Sequence, residues 1–118
     1  IHMSAKKKSK DDIEILQEKL QSIKGQEGII GYILRSPNSA SIDLKDPTKI
    51  INYAILSATA FEAGQDISTT FEIGEVDTIL LEGENTKVLS MVVNNNRLSI
   101  FMEKNVDHNE LCKDLNLT

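Results

Sequence analysis

Residues 46–65 place the tightest constraint on how this chain can fold. Asp46-Pro47 opens the segment. Asp is a favoured helix cap, and Pro is favoured at the first helical position. The run that follows predicts a long helix to about Gln65, with Gly64 near its end. On its helical projection, Asn52, Thr59, Glu62 and Asp66 converge on a narrow polar stripe, into which Ile55 falls. Two apolar sets flank that stripe. One holds Ile50, Ile51, Ala54, Ala58 and Phe61; the other holds Tyr53, Leu56, Ala60 and Ala63. Together they span very roughly 240°, well beyond the ~100° that a helix lying on a single surface has to bury. A sheet covers one such face. The second face has two candidate covers, the N-terminal helix of the same chain or the same helix of a second subunit. Ala54, Ser57, Ala58, Ala60 and Ala63 are small enough for two helices to approach closely.

The elements around this helix follow from hydrophobic period and turn chemistry. Ile13, Leu16, Leu20 and Ile23 fall three to four apart and predict an amphipathic helix over 11–24, closed by Gly25. Residues 28–35 are continuously apolar and read as a central strand covered on at least one face. Ser36-Pro37-Asn38-Ser39 is a turn, and residues 40–44 return as a second strand. After the long helix, residues 67–74 read as a loop or irregular edge. Strands are then expected at 76–81, 87–93 and 97–103. Asn94-Asn95-Asn96 joins the last two, since Asn tolerates left-handed backbone. In the last strand, Leu98, Ile100 and Met102 should point inward and Arg97, Ser99 and Glu103 outward, with Phe101 a possible contact on the polar side. A short helix closes the chain at 107–115, capped by Asp107. The pair Gly28 and Gly31 sits in a strand, where it suits a close backbone approach or a twist.

These elements define an α+β fold, an α/β two-layer arrangement of order α-β-β-α-β-β-β-α. A five-stranded antiparallel sheet carries the long helix on one face. Residues 11–118 form a single domain. Ile1-His2-Met3 reads as a cloning scar, and Lys6, Lys7, Lys8 and Lys10 as a flexible basic tail.

Charge narrows the function. The whole chain carries 13 basic and 18 acidic residues. Setting the tail lysines aside leaves nine basic against 18 acidic, a net of −9. Such a body repels phosphate backbones, which argues against a nucleic-acid module and suits a partner with a basic patch. Cys112 is the only cysteine, and no apolar run approaches the roughly 20 residues a membrane span needs. A reducing cytoplasm, without membrane insertion, is the expected setting.

No catalytic constellation emerges. The sequence has no GxxxxGK[ST] phosphate loop, no GxGxxG and no HExxH. His108 reads as a solvated surface histidine, and with Cys112 it would give two metal ligands where zinc wants three or four. The chain is therefore read as a non-enzyme with no cofactor and no metal.

The order of elements resembles the Roadblock family, the dynein light chain and MglB-like domain related to longin and profilin-like folds. Its carriers are Ile23-Lys24-Gly25, Glu27-Gly28-Ile29-Ile30-Gly31, Tyr53-Ala54-Ile55-Leu56, Thr78-Ile79-Leu80-Leu81-Glu82 and Arg97-Leu98-Ser99-Ile100-Phe101-Met102. The resemblance covers about residues 11–115. It departs at Ser36-Pro37-Asn38-Ser39-Ala40, where members often carry a short Gly-containing turn. The resemblance implies a homodimer with long helices packed together and residues 76–82 pairing edge to edge. It also implies a non-catalytic adaptor or regulator that binds a Ras-like small GTPase. Ile51, Ala54, Ile55, Leu56, Ala58, Phe61, Ile79 and Leu81 are the candidate dimer or partner contacts. The rival reading is a monomeric α/β domain sensing a small molecule between helix and sheet, without a GTPase partner.

Overall fold

The computed structural model describes residues 12–74 and 76–115. Residues 1–10, read from the sequence as a scar and a basic tail, lie outside that range. Helix α1 spans Asp12–Lys24, followed by β1 (Ile29–Arg35) and β2 (Ala40–Leu44). A 3₁₀ turn at Pro47–Lys49 leads into α2 (Ile50–Phe71). Then come β3 (Thr78–Glu82), β4 (Thr86–Val93), β5 (Asn96–Glu103) and α3 (His108–Asp114). The five strands form one antiparallel sheet in the order β2-β1-β5-β4-β3. Strands β2 and β3 are therefore its two edges. The α+β architecture and element order are those the sequence predicts.

Each turn has a local cause. Asp46 accepts from the backbone N–H of Thr48 and starts the 3₁₀ turn, as its capping role requires. Asp107 likewise accepts from the N–H groups of Asn109 and Glu110 at the head of α3. Asn94 and Asn95 both take positive φ, 50° and 65°, which closes the β4–β5 hairpin with the twist of its strands. Gly31 lies where β1 crosses β2, and a Cβ built there would stand 2.3 Å from the Asp43 carbonyl oxygen. The close approach expected of this glycine is thus its function.

Helices cover both faces of the sheet. On one face α1 and α3 contribute Leu16, Leu20, Ile23, Leu111 and Leu115 to a core with Tyr32, Leu34, Leu98, Ile100 and Met102. On the other, α2 lays Ile50, Tyr53 and Ala54 on Ile33, Leu44, Val88 and Phe101. Strand β1 is buried on both sides, which explains its unbroken apolar run. Because α1 sits across the sheet from α2, it cannot cover the second apolar face of α2. One of the two candidate covers is thereby removed.

Two expectations need correction. Residues 67–71 are helical, not a loop: α2 runs on to Phe71 and stops at Glu72, whose φ of 54° is left-handed. Gly64 does not end the helix. It is buried, and a Cβ there would come 2.6 Å from Ile79 Cδ1, so glycine admits β3 to the helix surface. Ser99 is not outward: it is fully buried under α2. Its hydroxyl lies 2.7 Å from that of Ser57 on α2 and 2.8 Å from that of Ser90 on β4. This three-hydroxyl chain ties α2 to two strands in an otherwise apolar layer. Ser99→Ala leaves Ser57 and Ser90 without their shared partner, and unsatisfied buried hydroxyls cost about 1–3 kcal/mol. Urea unfolding of that variant should show a stability loss in this range.

Candidate functional site

The long helix fixes the geometry of the candidate surface. Ser57, Ala60, Phe61 and Gly64 face the sheet and are buried. Gly64 contacts Ile79 and Val76 on the β3 side, while the Arg97 guanidinium of β5 sits 5.2 Å over the Phe61 ring. Each apolar set read from the sequence therefore splits. Its inner members pack on the sheet and its outer members stand in solvent. The flank toward β3 consists of Leu56 (36% exposed), Ala63 and Ile67 (48%). The opposite flank consists of Ile51 (72%), Ile55 (61%) and Ala58, the last half-buried.

Of the eight candidate contacts, Ile51, Ile55, Leu56 and Leu81 are exposed, and Ala54 and Ala58 half-buried. Phe61 retains only 9% exposure and serves the core of the chain. Ile79 is half-buried against Gly64. Ile67 was missed because the helix was expected to end before it. Phe71, at 69% exposure, was missed for the same reason.

Strand β3 adds an open edge. Its pairing with β4 runs from Thr78↔Met91 to Glu82↔Lys87, and its other side has no strand partner among the described residues. Leu81 is exposed on it. Exposed apolar helix flank and unpaired strand edge thus lie on the same side of the molecule. Isolated exposed apolar residues are ordinary, but several of them on one helix flank beside an open strand edge make a candidate association surface.

The other face carries no comparable chemistry. His108 is half-buried, not solvated, and its Nδ1 lies 3.1 Å from Nζ of the buried Lys87. Burial pushes the Cys112 thiol above its usual pKa, which keeps it protonated and a poor nucleophile. Burial raises the Tyr32 phenol as well, and the nearby Asp43 adds to that. Asp43 itself pairs with Lys24. No three His, Cys, Asp or Glu side chains among the described residues come together as metal ligands. No helix among them is long and apolar enough to cross a membrane.

A sheet of this order, with one long helix on one face and two shorter ones on the other, is the Roadblock fold. The solved Roadblock/LC7 domain from Streptomyces avermitilis superposes with a TM-score of 0.66 at 15% identity, over 92% of this chain and 91% of that one. MglB from Myxococcus xanthus superposes with 0.68 at 11% identity, over 92% and 88%. The gliding protein MglB from Thermus thermophilus gives 0.64 at 14%, over 86% and 80%. No protein-family model and no curated protein matches the sequence. What is shared with these structures is the fold.

Proposed function

We propose that the chain is a non-catalytic, cytoplasmic adaptor or regulator that acts as a homodimer and binds a Ras-like small GTPase. One observation carries this reading: a Roadblock fold whose long helix exposes two apolar flanks, one of them beside an unpaired strand edge. The flank of Leu56, Ala63 and Ile67, with Leu81 on β3, suits a second copy. Edge pairing of β3 with β3 would extend the sheet while the α2 helices close over it. The flank of Ile51, Ile55 and Ala58 remains open in that arrangement and suits the GTPase. The motifs named in the sequence and the fold both point to the same family of platforms, which bind switch segments without contributing chemistry. The inference from fold to function is by analogy.

Light-scattering chromatography tests it. The protein is run alone and mixed with small GTPases of its own genome, loaded with GDP or a GTP analogue. A dimer mass alone and a larger complex in one nucleotide state are expected. A monomer that forms no complex in either state would overturn the reading.

A further inference from the structure

Arg35 and Arg97 face each other in the β1–β5 register. Both belong to the α2 side of the sheet, since Ile33, Ser99 and Phe101 alternate onto that side and side chains repeat every second residue. Like charges directly opposite across two strands destabilise a sheet. Neither arginine is charge-paired: no carboxylate among the described residues lies within 4.0 Å of either guanidinium. Asp66 and Asp77 line the same 650 Å³ cleft as Arg97 without pairing with it. This occurs in a body with twice as many acidic as basic residues, where a partner for each arginine is easily supplied. Arg97 is also held in place, its guanidinium resting on Phe61. Two guanidinium forks carried at facing register positions on one side of the sheet suit carboxylate groups.

We infer that Arg35 and Arg97 form an anion-binding site for acidic side chains of the protein partner that docks across α2. The inference rests on the reading of α2 as a docking surface. Ala58 lies one helical turn before Phe61, so Arg97, seated on Phe61, stands near the Ala58 end of the exposed flank of Ile51, Ile55 and Ala58. An apolar patch bordered by a fixed arginine is the usual make-up of an interface hot spot. The partner presents an apolar contact to the helix and Asp or Glu side chains to the sheet end. The site keeps an unfavourable pair in the free protein so that the partner's charge is met on arrival.

The test uses the full chain labelled for NMR of the arginine Nε–H groups. It is titrated at constant ionic strength with acetyl-Glu-Glu-Glu-Glu-amide, with inorganic phosphate, and with chloride. Signals of Arg35 and Arg97 should shift together and saturate with the peptide, and should be unmoved by chloride. Arg97→Gln should reduce the Arg35 shift at least fivefold, and Arg35→Gln the Arg97 shift. Arg35→Gln should melt at the same or higher temperature, because it removes a like charge, while Arg97→Gln also gives up its ring contact with Phe61 and should lose no more than that contact carries. A saturable peptide response in a chain that binds no small GTPase keeps the site and removes only the GTPase as its partner. No saturable shift, or a shift of one arginine alone, overturns the inference. Phosphate binding tenfold tighter than the peptide overturns the assignment to protein carboxylates. An Arg35→Gln variant that melts several degrees lower would make that arginine structural and overturn it as well.

Discussion

Gly31→Ala should cost the fold about 3 kcal/mol or more, a large share of the ~5–15 kcal/mol that holds a domain together. The added Cβ would stand 2.3 Å from the Asp43 carbonyl oxygen, 2.6 Å from Leu44 Cδ2 and 2.7 Å from Leu44 Cα. Two of these three neighbours are backbone, so no rotamer change relieves the contact. Relief requires β2 to move away from β1, and that breaks a ladder running from Gly31↔Leu44 to Arg35↔Ala40. It also withdraws Leu44 from the α2-side core and displaces Asp43 from its ion pair with Lys24 on α1. Overpacking alone typically costs about 1–3 kcal/mol, and the lost ladder adds to it. Gly25→Ala is the control: its Cβ meets nothing closer than the Ser22 carbonyl at 3.7 Å. Urea unfolding should show the first variant strongly destabilised and the second close to the parent chain. Equal midpoints for the two would mean that β2 is free to shift, contrary to the packing described.

The contrast between glycines also shows what the sequence could and could not disclose. Gly31 was legible as a close approach or a twist because it interrupts an apolar strand; Gly28, read as part of the same strand, lies instead in the turn before β1 with a φ of 87°. Gly64 was not legible, because a glycine late in a helix looks the same whether it ends the helix or admits a neighbour. Only the position of Ile79 distinguishes the two. Periodicity revealed the rest of α2 well: its excess of apolar surface is visible in the structure as two exposed flanks. What it could not assign was which member of each set meets the sheet, since both sets contain inner and outer residues. Ser99 illustrates the error that results: it was grouped with solvent and lies beneath α2. Phe61, a candidate for core and contact alike, is buried. Alternation along β5 correctly separated its two sides, but both sides of a strand covered by helices on each face are interior. The Arg35–Arg97 juxtaposition depends on strand register, and residues 62 positions apart in the chain give no local sign of it.

The two flanks of α2 should be separable by substitution, and this is the larger functional effect. Leu81→Glu combined with Ala63→Glu places like charge on the β3-side flank and the strand edge. All of these side chains are exposed in the protomer, so the fold is left intact and the melting of the monomer changes little. Burying two uncompensated charges in a dimer interface costs several kcal/mol, and every ~1.4 kcal/mol is tenfold in affinity. Dimerisation should therefore weaken by at least a hundredfold, readable by sedimentation across a dilution series. Ile55→Glu acts on the opposite flank, 61% exposed and away from the β3 edge. It should leave the dimer mass unchanged and abolish the complex with the GTPase. If Ile55→Glu instead dissociates the dimer while the β3-side pair does not, the two flanks have exchanged roles and the helices pair through the other side. If neither variant alters the mass of a dimeric parent, the second copy docks away from α2, and the excess apolar surface of this helix belongs wholly to another protein.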